Sequence, residues 1–180
     1  MSTIVRETRE TRVRVETVPG TGEAVVDTGV PFLDHMLTTL ARTARLDLTV
    51  TARGDLRHHI VEDVAIALGA SVLALRTDNA ARYGERTLAM DDALVQAVID
   101  LGGRAYYRGP LPGSLYDHWM RSFAFEARAT LHVRVLRGTD RHHIIEAAFK
   151  ALGIALGQAL AEAGAPSSTK GTVSLEVRGC

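Results

Sequence analysis

The tightest constraint on this chain is a motif that it carries twice. His58-His59-Ile60-Val61-Glu62 recurs 84 residues later as His142-His143-Ile144-Ile145-Glu146. Each copy has a histidine upstream at a matched distance. His35, within Asp34-His35-Met36, stands 23 residues before the first pair, and His118, within Asp117-His118-Trp119, stands 24 residues before the second. Six of the seven histidines belong to this pattern, and only His132 does not. A chain built in this way is expected to fold as two similar halves that share one chemistry.

The apolar periodicity repeats with the motif. In the first half, Arg12 to Glu16 alternates as a half-buried strand does. Pro19-Gly20-Thr21-Gly22 is a turn signal, and Glu23 to Asp27 can return as the second strand of a hairpin. Phe32, Leu33, Met36, Leu37 and Leu40 follow helical spacing, Leu46 to Val50 alternates, and a helix begins at His58 and runs through Leu75. In the second half, Leu94 to Leu101 and Arg104 to Tyr107 read as strands. Tyr116 to Phe125 reads as a helix, Arg128 to Leu136 as a strand, and the stretch carrying Ile144, Ala148, Leu152, Leu156 and Leu160 as a long helix. A last strand is expected at Val173 to Val177 after a loop at Pro166 to Gly171. The order strand, strand, helix, strand, helix therefore occurs twice. It predicts an α+β protein with helices packed on one face of each small sheet. The division is expected between Asp78 and Asp91, giving halves of 1–85 and 86–180.

Imidazole and carboxylate at this spacing is metal-ligand chemistry. Adjacent helical residues point about 100° apart, so His58 and His59 cannot reach one ion from the same side. Glu62 follows them by four and three residues and can neighbour either. Each motif is expected to offer one histidine to each of two ions, its duplicate completing the set. The candidates are His35, His58, His59, Glu62, His118, His142, His143 and Glu146. Donors of this kind, without sulfur, suit manganese, iron, cobalt, nickel or zinc. So many ligands exceed what a closed structural zinc site takes, which points to a functional centre with open positions. A second group suits a phosphate: Ser167, Ser168, Thr169, Lys170 and Gly171 combine hydroxyls, a cation and close backbone approach. Arg82 and Arg104 are further cations able to grip an anion.

Lys+Arg and Asp+Glu each number 21, and this balance gives no sign of a nucleic-acid or membrane partner. The single cysteine, Cys180, excludes a disulfide framework and a thiolate metal site. Neither an apolar signal region nor an apolar run near the ~20 residues of a membrane span is evident, so a cytoplasmic location is expected.

Taken together, Thr28-Gly29-Val30-Pro31-Phe32-Leu33-Asp34-His35-Met36-Leu37, the stretch Gly138-x-Asp140-x-His142-His143-x-x-Glu146-Ala147-x-Phe149-Lys150, and Ser168-Thr169-Lys170-Gly171 resemble the imidazoleglycerol-phosphate dehydratase family of histidine biosynthesis. The resemblance runs from about Arg6 to Gly171. It implies two halves related to the ribosomal S5 domain 2-like fold and two manganese ions per subunit held by the eight ligands above. It also implies substrate contacts from Glu10, Arg82, Arg104, Ser168 and Lys170, and a shell of twenty-four subunits with active sites shared between neighbours. His132 would not be a ligand. The expected catalytic set is Glu10, as general base, with the ligand carboxylates Glu62 and Glu146. Alternatives from the residues alone are a dinuclear metal phosphoesterase and a non-enzymatic metal-binding assembly; the phosphate-type loop argues against storage. The sequence departs from the family where Gly54-Asp55-Leu56-Arg57 leads directly into the first histidine pair. That approach is shortened, and the acidic residue beside the histidines is expected to be missing. A further family histidine after the first helix is replaced by Ala41-Arg42-Thr43-Ala44. No phosphatase segment accompanies the chain, so the bifunctional form is not expected.

Overall fold

The computed structural model describes residues 1–164; the expected loop at 166–171, with Ser168, Thr169 and Lys170, and the expected strand at 173–177 lie outside them. The first half comprises β1 (Ser2–Glu7), β2 (Thr11–Pro19), β3 (Ala24–Asp27), α1 (Pro31–Ala44), β4 (Leu46–Gly54) and α2 (Arg57–Leu75). The second comprises β5 (Tyr83–Met90), β6 (Ala93–Asp100), β7 (Tyr106–Arg108), α3 (Ser114–Glu126), β8 (Thr130–Arg137) and α4 (Arg141–Leu160). Among the described residues each half has one strand that the periodicity does not predict, namely β1 and β5. β5 pairs antiparallel with β6 and spans the expected 85/86 division, so the linking stretch is 76–82.

The two sheets have the same order, β1-β2-β4-β3 and β5-β6-β8-β7. The expected hairpin between β2 and β3 does not form. Both edges of β2 are taken, by β1 and by β4, and β3 instead lies parallel on the far edge of β4. The Asp47 carboxylate accepts hydrogen bonds from the amides of Thr21, Gly22 and Glu23, so the turn wraps over the start of β4 and carries the chain across. Alternation reports that a segment is a strand, whereas its neighbour is decided by which edges other strands leave open.

α1 and α2 cover the inner face of the first sheet, and α3 and α4 that of the second. The halves meet through crossed helix pairs, α1 against α4 and α2 against α3. Both pairs run parallel: Leu40 and Thr43 lie beside Gly153 while Ala44 lies beside Gly157, and Phe123 to Ala127 lie beside Gly69. Gly69 and Gly153 are themselves 84 residues apart, so the duplication extends beyond the histidine motif into the helix contact. The result is four layers: sheet, helix pair, helix pair, sheet. Trp119, Phe123 and Phe149 stack where α3 reaches α4, with Trp119 and Phe149 ring centres 4.6 Å apart. Such pairing adds about 0.5–1.5 kcal/mol beyond burial.

Layering also accounts for α2 and α4. At 19 and 20 residues, with mean hydropathies of 1.4 and 1.2, they are long and apolar enough to cross a membrane by length and composition, contrary to the sequence reading. Each lies between a sheet and another helix, and a helix covered on most sides is apolar on most sides.

Gly69→Ala is expected to destabilise the protein despite alanine's higher helix propensity. The new Cβ would lie 2.6 Å from the Phe123 carbonyl oxygen, a backbone atom with no rotamer to turn aside. The net loss should be about 1–3 kcal/mol, read as a lower urea midpoint.

Candidate metal centre

The α1–α4 and α2–α3 contacts bring the imidazoles and carboxylates together. His35 on α1 joins His142 and Glu146 on α4, and His118 on α3 joins His58 and Glu62 on α2. In each cluster one ligand atom per residue lies within 4.8 Å of the others. Nε2 of His35 and of His142 stand 3.3 and 3.0 Å from Glu146 Oε2. His118 Nε2 is 3.2 Å from Glu62 Oε1, and His58 Nε2 is 3.6 Å from Glu62 Oε2. Both clusters draw on both halves of the chain, as the duplication implied. Each His-His-x-x-Glu motif gives one histidine and its glutamate to a single cluster, and His59 and His143 stand outside.

The upstream histidine of each cluster is aimed by the aspartate that precedes it. Asp34 accepts hydrogen bonds from the Thr28 amide and hydroxyl, and Asp117 from the Leu111 amide and the Tyr107 hydroxyl. These bonds fix the entry of α1 and α3, and with it the direction in which His35 and His118 project.

His59 and His143 each have an acidic partner. His59 Nδ1 lies 2.8 Å from Asp55 Oδ1, and His143 Nδ1 lies 2.8 Å from Asp92 Oδ1. The expected loss of an acidic residue beside the first pair is therefore overturned: in the shortened approach, Asp55 lies in the bend just ahead of α2 and supplies the carboxylate. These hydrogen bonds raise the pKa of both histidines above the ordinary value. Asp92 is held far below the usual carboxylate range by the Thr139 amide, His143 and the Asp140 amide. Glu10, in the turn between β1 and β2, places its exposed carboxylate 3.5 Å from His59 Nδ1. Asp91 and Asp92 occupy the corresponding turn of the second half.

The sequence pattern does not mark Lys150 as functional, yet its Nζ lies 3.0 Å from Glu146 Oε1. Burial pushes the Glu146 carboxyl up, but Lys150 and His35 together hold it below its ordinary value and keep it anionic. The matching position in the first half is Ile66, so the two clusters differ in charge.

The expected substrate cations do not reach these clusters within one chain. Arg82 forms a bidentate ion pair with Asp100, at 2.6 and 2.9 Å, and Arg104 follows in the loop after β6. Asp92 and Asp100 stand at opposite ends of β6, roughly 25 Å apart at the usual strand rise. His132 lies on the outer face of the second sheet beside Tyr106, away from both clusters.

A duplicated α+β chain whose crossed helices assemble two clusters, each of two histidines and a glutamate able to hold a metal ion, with a further acidic residue beside each spare histidine, defines the class of protein. The sequence pattern of the imidazoleglycerol-phosphate dehydratase family matches residues 28–156. The chain is 46% identical to the imidazoleglycerol-phosphate dehydratase of Desulforudis audaxviator, over 94% of this chain and 95% of that protein. It is 47% identical to that of Pyrobaculum calidifontis, over 93% and 97%. A crystal structure of IGPD from Pyrococcus furiosus superposes with a TM-score of 0.86 at 36% identity, covering 94% of this chain and all of that one. The Staphylococcus aureus imidazoleglycerol-phosphate dehydratase gives a TM-score of 0.78 at 31% identity, over 90% and 99%. The chain belongs to the imidazoleglycerol-phosphate dehydratase family.

In metal-free protein the Asp55–His59 pair contributes stability below about pH 6.5, and that contribution is lost as pH rises through the raised folded value. Asp55→Asn should return the His59 titration toward its ordinary position by NMR; an unmoved titration would mean that Asp55 is not its partner.

Proposed function

We propose that this chain dehydrates imidazole glycerol phosphate to imidazole acetol phosphate, as a hydro-lyase of histidine biosynthesis, and that it does so with two divalent ions, best served by manganese. The observation that carries the reading is the matched pair of histidine–glutamate clusters in a chain of this family. The donors fit such ions. Two imidazole nitrogens and a carboxylate without sulfur suit manganese and its divalent neighbours. His118 Nε2 is buried and makes no hydrogen bond, which suits a lone pair directed at a cation. Bound there, the ions supply Lewis-acid stabilisation and a template for the substrate.

The chain's own residues account for the rest. The reaction removes a proton from the carbon that becomes the ketone and hydroxide from the carbon beside the ring, and the resulting enol converts to the ketone. Glu10 is the base of choice, because no cluster claims its carboxylate and it stands exposed on the rim beside His59. Glu62 and Glu146 hold ligand geometry and charge. Lys150 and His35 hold the Glu146 carboxyl below its ordinary value against the effect of burial.

A single chain leaves three things apart: two histidines outside the clusters, three ligands per cluster, and Arg82 and Arg104 at the other end of the sheet. Assembly into a homo-oligomer, twenty-four subunits by family resemblance, reconciles them. His59 and His143 would complete neighbouring clusters, and Arg82 and Arg104, with Ser168, Thr169 and Lys170, would anchor the phosphate of a neighbour's substrate. Remote binding energy then orients the reacting carbons. The small-molecule substrate and balanced charge favour a cytoplasmic enzyme without nucleic-acid or membrane partners.

Metal-stripped protein should be inactive. Added manganese should restore ketone formation with no release of phosphate; phosphate release would instead favour a phosphoesterase. Glu10→Gln should keep the metal content and lower kcat about 100-fold or more. Unchanged turnover would remove Glu10 from the mechanism. Mixed assemblies of His142→Ala and Arg104→Ala subunits should recover about a quarter of wild-type activity if each site draws these residues from different subunits. No recovery would place each site within one subunit.

A further inference from the structure

Six imidazoles meet carboxylates at the cluster end of the molecule, and they do so in two ways. His35, His58, His118 and His142 each turn Nε2 to a cluster glutamate. His59 and His143, outside the clusters, instead turn Nδ1 to an aspartate, Asp55 and Asp92, each at 2.8 Å. Their rings stand at 74° and 87° to those of His58 and His142, with centres 6.1 and 6.0 Å apart. The second histidine of each pair is thus held by a different edge, and in a different orientation, from the first.

The two halves reach this contact by different routes. Asp55 comes from the bend just ahead of α2, and its Oδ1 also accepts the Leu56 amide. Asp92 comes from the turn between β5 and β6, 51 residues before its histidine. Its other oxygen accepts from the amides of Thr139 and Asp140. Thr139 stands 84 residues after Asp55, so the duplicated position carries no acid in the second half. Glu10 precedes β2 as Asp92 precedes β6, yet it stands back at 3.5 Å from His59 Nδ1. Duplication alone does not explain the match. Two residues from unrelated positions bring a carboxylate to the same ring nitrogen at the same distance.

The contact selects a tautomer. A carboxylate only accepts, so the hydrogen of a neutral ring sits on Nδ1, and Nε2 then carries the lone pair that a metal takes. A ring held in this way has its tautomer and its orientation set before an ion arrives. The two histidines so held are the two that face no glutamate in their own chain. Asp91 Oδ2, 3.5 Å from His143 Nε2, is too distant for a good hydrogen bond and does not compete with Asp92. Both rings remain partly exposed, at 26% and 31%, so neither is sealed within its own half.

We propose that Asp55 and Asp92 are positioning residues that hold neutral His59 and His143 as Nδ1–H tautomers, so that each presents its Nε2 lone pair to a divalent ion of a neighbouring cluster. The proposal rests on the two-ion reading above and deepens it by naming the groups that aim the two ligands lying outside the clusters. In the first half it also separates two tasks. Asp55 takes the histidine, and the Glu10 carboxylate stays available as a base.

The test titrates metal-free, full-length protein with manganese in a calorimeter. Asp55→Ala and Asp92→Ala should each weaken binding about 10- to 100-fold. A double-mutant cycle separates positioning from a general loss of structure. In a His59→Ala background, Asp55→Ala should change manganese affinity less than about twofold, because the ring through which it acts is gone. Solid-state NMR of histidine-labelled, metal-free protein at alkaline pH should show Nδ1–H rings at both positions in the wild type, and Asp55→Ala should abolish that preference at His59. Wild-type affinity in Asp55→Ala, or an Nε2–H ring at His59 in the wild type, would overturn the proposal. An equal loss in both backgrounds would overturn it too, by making the role of Asp55 structural. Asp55 is exposed and decides the matter alone if Asp92→Ala, which also removes contacts to the Thr139 and Asp140 amides, fails to fold. A wild type that binds manganese yet forms no ketone would instead sink the dehydratase reading, and the titrations would still decide the role of the aspartates.

Discussion

Everything at the functional end depends on the close parallel contact of each short helix with the long helix of the other half. At Gly69 and Gly153 the partner backbone sits where a Cβ would be, so the helices approach to backbone distance. Two turns upstream of these glycines are Glu62 and Glu146, facing His118 and His35. A ligand set needs its donors placed to within a fraction of an ångström, and a packed helix pair holds them better than loops do. The same contact joins the two halves into one hydrophobic core. Core formation and site formation are therefore one event.

Direction matters as much as contact. Each β-α-β unit returns its helix antiparallel to the strands, and the crossed pairs are parallel, so the four N-termini gather at one end. That end carries both clusters, Glu10, Asp55, Asp91, Asp92 and Arg57. Helix N-termini favour negative charge, which suits the carboxylates gathered there. The halves then diverge in detail. The second has an aspartate cap on α4 and Lys150 beside its glutamate; the first has Leu56 at the cap and Ile66 in place of the lysine. Two clusters with the same donors thus sit in different fields.

Much of this is legible in the sequence because it is periodic. The six patterned histidines, the two glutamates and the long helices follow from spacing alone, and the starts of α2 and α4 fall within a residue or two of expectation. β1 and β5 escape a count of apolar positions because their alternation runs through charged residues such as Arg6, Glu7, Glu85 and Arg86. The false hairpin arises because Pro19-Gly20-Thr21-Gly22 has turn chemistry whichever strand follows. Asp55 is hidden by comparison with the family pattern, which directs attention to a missing residue, and its contact with His59 depends on how the chain bends into α2.

The sequence by itself determined the donor types, the twofold repetition and the period of each element, since these follow from residue chemistry and local backbone geometry. The tertiary structure decided which donors meet. Whether His58 or His59 joins Glu62, and whether His35 serves its own half or the other, depends on helix rotation and on which helix packs against which. Those are set by contacts far apart in the chain. The same long-range packing carried Arg82 and Arg104 to the end of the sheet away from the clusters, a separation that no local pattern in the sequence shows.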